Sequence, residues 1–267
     1  MLRPRITPCL LISDGGLVKT VEFKAPKYVG DPINAVKIFN EKEADELIVL
    51  DIDATVQGRE PNERLISQFA MECRMPLCYG GGIRTVEQVK RIIGLGVEKV
   101  SLGAAAIDTP ELIGATAREI GSQSVVVVLD VRKAARTGRY EVFTHNGTRV
   151  TGVDVVTAAR DAESRGAGEI LVNAIDRDGV MKGYDLELAA MVREATRLPM
   201  SVLGGAGSLD DLKALIARCG VIGAAAGSLF VFKGTYRAVL INYPGQAQKE
   251  ALIRAALPGH AQATSPA

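Results

Sequence analysis

Proton transfer requires an ionisable group within hydrogen-bond reach of the reacting atom. Asp130, in Val128-Leu129-Asp130-Val131, is such a group at the end of an apolar run. Two glycine clusters suggest a second kind of chemistry. Gly80-Gly81-Gly82-Ile83-Arg84-Thr85 and Gly204-Gly205-Ala206-Gly207-Ser208 each close a strand-like run and open a helical one. Glycines let backbone N–H groups close on a phosphate, and a helix N-terminus adds a favourable dipole. Gly227-Ser228 would complete the second cradle, with Asp178-Gly179 beside it. A lone Gly-Gly-Gly is more often a tight turn. A matched pair points to a small ligand with a phosphate at each end. The first cradle is the weaker, because Ser101-Leu102-Gly103-Ala104 offers no hydroxyl or amide side chain at 103 or 104.

These residues need a frame that brings them to one face. Eight strand-like runs are read at Ile6–Ile12, Leu47–Ile52, Leu77–Tyr79, Lys99–Leu102, Val125–Val131, Glu169–Ala174, Met200–Leu203 and Gly220–Ala224. Helix-like stretches separate them, at Ile33–Glu43, Glu63–Cys73, Val86–Leu95, Pro110–Ile120, Val153–Arg165, Leu186–Thr196 and Leu209–Arg218. Near-continuous apolar strands alternating with helices imply a parallel sheet covered on its outer face. The expectation is an α/β chain, a single (β/α)₈ TIM barrel over residues 1–243, with residues 244–267 as a C-terminal helix and tail. The tail from Pro258 is expected to be disordered. Leu50-Asp51-Ile52-Asp53 answers to Ala174-Ile175-Asp176, and Gly80 is as far from Gly204 as Gly96 is from Gly220. Two similar half-barrels would produce that repeat. The segments Ser13–Asp31 and Arg132–Thr151 follow strands 1 and 5 on the active face of such a fold. They read either as substrate lids or as solvated turns.

The 267 residues are 47% hydrophobic and 24% charged, with a formal net charge of +1. This describes a soluble globular protein and argues against a nucleic-acid partner. No stretch reaches ~18 uninterrupted apolar residues, so no membrane span is expected. No targeting segment is read at the N-terminus. Cys9, Cys73, Cys78 and Cys219 lack zinc-type spacing and suit buried thiols in a reducing cytoplasm. With two histidines, His145 and His260, a His-rich metal site is not expected. Neither a metal nor a cofactor is expected.

Over roughly residues 1–235 the chain resembles the cyclase subunit of imidazole glycerol phosphate synthase. The resemblance rests on Gly30-Asp31-Pro32, Ala44-Asp45-Glu46-Leu47, Leu50-Asp51-Ile52, Gly80-Gly81-Gly82-Ile83-Arg84, Gly121-Ser122-Gln123, Thr144-His145, Asp176-Arg177-Asp178-Gly179 and Gly183-Tyr184-Asp185. It implies a barrel that receives ammonia from a glutaminase docked at its N-terminal face. Two aspartates, on strands 1 and 5, then act on a bis-phosphorylated ribulosyl substrate as acid and base. Carried over position by position, the ammonia gate is Arg5, Glu46, Lys99 and Glu169, all present. A structural ion-pair ring is the alternative for these four. Lys19, Asp51, Asp130, Asp178, Gly179 and the glycines Gly81, Gly82, Gly204, Gly205 and Gly227 match at the mouth, beside Ser228. Three positions depart from the pattern. Leu11 stands where the family has its strand 1 aspartate, Gly103-Ala104 replaces an Asn-Thr or Asn-Ser pair, and Asn173 replaces a threonine.

The chain also resembles a branch of that family associated with acetamidino-sugar synthesis for bacterial surface polysaccharides. There a glutaminase, a barrel and an ATP-dependent sugar amidotransferase act together. The matches are Gly16–Thr20, Pro26–Val36, Phe39–Glu43, Pro76–Tyr79 and Tyr236–Pro244. Three readings stay open: an ammonia-conducting subunit of such a complex, a working cyclase of histidine biosynthesis, and a non-catalytic scaffold that activates the glutaminase.

Overall fold

The computed structural model describes residues 3–257, so the tail expected from Pro258 lies outside the described residues. Eight parallel strands close on themselves: β1 (Arg5–Ser13), β2 (Leu47–Asp51), β3 (Leu77–Gly80), β4 (Lys99–Leu102), β5 (Val125–Lys133), β6 (Glu169–Ala174), β7 (Met200–Leu203) and β8 (Gly223–Ala226). Each pairs with the next, and β8 returns to β1 with Arg5 opposite Gly223 and Pro8 opposite Ala226. This is the expected (β/α)₈ barrel. The period-two alternation of a strand explains its two cores. Ile6, Leu10 and Ile12 of β1 point outward into the large core beneath the helices. Cys9 points inward and packs with Ile48, Cys78, Val126, Val128, Leu171, Leu203 and Ala225, with Leu11 and Leu50 at the edge of that inner cluster.

Helices α1 (Pro32–Glu41), α2 (Glu63–Glu72), α3 (Val86–Gly94), α4 (Glu111–Ile120), α5 (Val155–Ser164), α6 (Leu186–Ala195), α7 (Leu209–Cys219) and α8 (Gln246–Ala256) cover the strands. Their starts follow local chemistry: Asp31 caps α1 through the amide of Asn34, with Pro32 in the first turn. The eighth strand begins later than expected because Gly220, at φ 75°, is the C-cap of α7 rather than a strand residue. Helix α8 packs on α7. Its buried Lys249 donates to Asp45 at 2.7 Å, and Tyr243 just before it donates to the Ile6 carbonyl at 2.7 Å.

The segments after β1 and β5 are not loops. Gly16–Val21 pairs antiparallel with β1 and with Lys24–Gly30, and Tyr140–Thr144 pairs with β5 and with Arg149–Asp154. Buried Leu17, Val18, Tyr140 and Val142 anchor these hairpins. Asp14-Gly15 and Asn146-Gly147, all at positive φ, supply turns. A third, smaller hairpin joins Phe232–Lys233 to Ala238–Val239 after β8. The first two meet over the barrel mouth, where Gly147 lies against the Phe23 ring. Asn146 Nδ2 also donates across the mouth to the Ile52 carbonyl at 2.8 Å.

Candidate functional site

A cavity opens at the C-terminal ends of the strands. Leu11, Asp51, Gly81, Gly82, Gly103, Ala104, Asp130, Asn173 and Asp178 all line it. Asp130 lies on β5 opposite Asn173 of β6, whose Nδ2 donates to its carboxylate at 3.0 Å. Burial pushes the Asp130 carboxyl up to about 7, with the Asn173 hydrogen bond opposing and the negative charge of Asp178 reinforcing that shift. Asp130 is therefore poised to take or give a proton near neutral pH. Leu11 brings no second proton carrier: it joins Leu50, Val128 and Leu203 in an apolar lining.

Asp51 is committed to its own loop. Its carboxylate accepts from the amides of Asp53 (3.1 Å) and Ala54 (3.0 Å), and burial holds its pKa above the ordinary value. Gly81 presses on that loop, since a Cβ there would fall 2.3 Å from the Asp51 carbonyl oxygen. Only glycine fits at φ 115° so close to backbone.

The two glycine turns are built alike. Thr85 caps α3 while the amides of Arg84 and Thr85 donate to Gln88. Ser208 caps α7 while the amides of Gly207 and Ser208 donate to Asp211. In each turn the capping box satisfies the N-cap and N3 amides of the helix that follows. Gly82 donates its amide to Thr55 Oγ1 at 3.3 Å, and at Gly103-Ala104 and Gly227-Ser228 short helices start without a side-chain cap.

A second, smaller cavity is lined by Lys19, Gly179, Gly204, Gly205, Gly227 and Ser228, and shares Leu11 and Asp178 with the first. Lys19 is almost fully buried and donates to the Cys9 carbonyl at 2.7 Å. Burial pushes its ammonium below the usual lysine range, with Asp178 only partly opposing. A Cβ on Gly227 would strike the Lys19 amine, so glycine is needed to admit it. Asp178 is itself raised by burial, against donations from Thr20 Oγ1 (2.6 Å) and the Phe23 amide (3.1 Å).

At the opposite end of the barrel, Arg5, Glu46, Lys99 and Glu169 form a closed ring. Arg5 lies 3.0 Å from Glu46 and 2.6 Å from Glu169, and Lys99 lies 2.6 Å and 2.7 Å from the same two carboxylates. Ser201 adds a 2.7 Å hydrogen bond to Glu169. Burial would raise Glu169, but Arg5 and Lys99 outweigh it and hold the carboxylate below its ordinary range. Between ring and mouth the barrel axis is mostly apolar. Three buried polar atoms on strands along it have no hydrogen-bond partner: Thr7 Oγ1, Ser101 Oγ and Asn173 Oδ1.

Every residue expected at mouth or floor is found there. Thr20, Phe23, Thr55 and Asn146 also line the mouth or close it, and sequence reasoning passed over them. For Asn146 a signal existed, the Asn-Gly hairpin turn. Thr20, Phe23 and Thr55 carry none.

Residues 5–237 match the family model described as histidine biosynthesis protein. A Leptospira interrogans protein provisionally named imidazole glycerol phosphate synthase subunit HisF is 57% identical over 253 residues, 95% of this chain and 100% of the relative. A Vibrio vulnificus protein provisionally named subunit hisF3 of the same synthase is 55% identical over 250 residues, 94% of this chain and 96% of the relative. A Pseudomonas aeruginosa protein provisionally named subunit hisF2 is 54% identical over 244 residues, 91% and 97% respectively.

Proposed function

The chain belongs to the histidine biosynthesis protein family, among its HisF-type subunits, and from that premise we propose that it is the ammonia-receiving barrel of a glutamine-dependent amidation complex. In this reading a glutaminase docks on the N-terminal face. Ammonia enters past Arg5, Glu46, Lys99 and Glu169, crosses the barrel, and leaves at the mouth. There an ATP-dependent sugar amidotransferase uses it to turn an acetamido group into an acetamidino group for surface polysaccharide. The carrying observation is the contrast between the two ends: a complete ionic ring at the floor, and Leu11 where a cyclase would need an acid.

The interior supports a path for a small neutral molecule. Apolar walls exclude ions, because a desolvated charge is costly, while an uncharged amine loses little. The unpartnered oxygens of Thr7, Ser101 and Asn173 offer hydrogen bonds between floor and mouth. Lys19 and the glycine amides remain suited to a phosphorylated ligand, whose charge would pair with the buried ammonium. Asp130 then serves as the acid or base still present, or as a partner that holds Asn173.

One observation favours a second reading, a cyclase of histidine biosynthesis working with an incomplete acid/base pair: Asp130 keeps a pKa of about 7. The ring separates ammonia delivery from later chemistry. Charge reversal at Lys99 is expected to lower glutamine-dependent product formation and leave ammonium-supported formation unchanged. Equal losses in both assays would reject the ring as an ammonia entrance.

A further inference from the structure

Exposed apolar side chains gather in one place on this molecule. Of the eight large apolar residues exposed among the described residues, Val21, Tyr28, Tyr236, Val239 and Leu240 lie on the hairpins that follow β1 and β8. Because β1 pairs with β8, these two extensions stand side by side, and Lys27 Nζ lies 6.0 Å from the Phe232 ring centroid. Tyr28 is 67% exposed and Tyr236 98% exposed.

The patch is ringed by positive charge. Lys24, Lys27, Lys233 and Arg237 are exposed, against the acids Glu22 at the tip and Asp14 at the base of the first hairpin. None of the four cations enters an ion pair among the described residues. Apolar residues, aromatic ones above all, inside a rim of unpaired charge mark an interaction surface rather than a solvated face. The patch is continuous with the cavity, since Phe23 at the tip of the first hairpin lines the mouth.

We propose that these two hairpins are the docking face for the enzyme that consumes the ammonia, a partner presenting an apolar surface rimmed by Asp and Glu. This rests on the function proposed above. Ammonia released into water is protonated and ceases to be a nucleophile, so the consuming site must cover the exit. These two hairpins carry five of the eight exposed large apolar residues among the described residues, beside four cations that enter no ion pair. Docking is through side chains and not by strand addition, because Pro26 and the lysines at 24 and 27 blunt the outer strand Lys24–Gly30.

The test compares the wild-type chain with the triple variant Tyr28→Glu, Tyr236→Glu, Leu240→Glu. Each is assembled with the glutaminase and ATP-dependent sugar amidotransferase of the same organism. Amide-¹⁵N glutamine is supplied against excess unlabelled ammonium, and the label in the amidated sugar is read by mass spectrometry. Wild type is expected to deliver the label nearly undiluted. The variant is expected to dilute it at least tenfold, with unchanged melting temperature and unchanged glutaminase activation. Undiluted label from the variant overturns the docking face and leaves the functional reading standing. A wild-type complex that puts no glutamine nitrogen into the sugar overturns both. Both proteins are also sedimented with vesicles of equal phosphatidylglycerol and phosphatidylcholine. Binding lost in the variant while label transfer is unchanged would assign the patch to a membrane surface and overturn the proposal.

Discussion

Leu11 and Asp130 face one cavity from β1 and β5, and only one of them can carry a proton. Removing one member of an acid/base pair costs ~10²–10⁴ in rate. Leu11→Asp is therefore expected to raise ammonium-dependent cyclase turnover by a factor in that range. No gain would mean that Gly103-Ala104 or another departure from the family pattern also blocks the substrate. Asp130 makes a separate prediction about stability. Unfolded, it titrates near 4; folded, it titrates at about 7, because burial disfavours its charged form. An acid raised on folding destabilises the fold once it ionises. The penalty is absent below about pH 4, grows between pH 4 and 7, and is complete above pH 7. At about 1.4 kcal/mol per pKa unit it amounts to up to about 4 kcal/mol. Asp130→Asn keeps an acceptor for Asn173 and removes the charge. Its melting temperature is expected to exceed that of wild type at pH 8 and to match it at pH 4; equality at both would contradict a raised pKa. Asp130 was legible in the sequence as a chemical group, whereas its partnership with Asn173 was not. That contact joins residues on different strands and depends on the register between β5 and β6.

The elements divide the labour between barrel strands and the hairpins that follow them. Strand ends hold Asp130, Asn173 and the ring, while hairpins hold Phe23 and Asn146 over the mouth. The hairpin Tyr140–Asp154 is pinned across the opening by the 2.8 Å bond from Asn146 to the Ile52 carbonyl. A hydrogen bond of this kind is worth about 1 kcal/mol net, roughly fivefold in an opening equilibrium. Asn146→Ala is expected to reduce hydrogen-exchange protection in this hairpin about fivefold and to leave the barrel strands unchanged. Unchanged protection would show that the hairpin is held by its pairing with β5 alone. All eight strands were legible because apolar, β-branched runs repeat between helical stretches. The segments were read as lids or solvated turns: their glycines and charged residues outweigh the short buried runs that hold Leu17, Val18, Tyr140 and Val142. The glycine turns were recognised, but the capping boxes at Thr85 and Ser208 were not, because they depend on Gln88 and Asp211 reaching back to the turn.

On the scale of the whole molecule, two ends of one barrel carry different chemistry. The floor ring is neutral overall, its two cations facing two carboxylates, and it closes the N-terminal face. The mouth has an apolar patch of Leu11, Leu50, Val128 and Leu203, three carboxylates at Asp51, Asp130 and Asp178, and a glycine turn from each half-barrel at its edges. Half-barrel symmetry explains the paired turns, since each half supplies one glycine turn with the same cap behind it. It does not extend to the acid/base pair, because Leu11 and Asp130 occupy answering strands with unlike side chains. An ammonia-delivering barrel needs the floor, the apolar bore and an exit; a cyclase needs both acids. The most direct test is turnover of the purified chain on the bis-phosphorylated ribulosyl substrate of the family cyclase, with saturating ammonium and no glutaminase, followed by absorbance of the carboxamide product. The account predicts no turnover from a folded barrel. Turnover near that of an ordinary cyclase would contradict it and return the chain to imidazole formation.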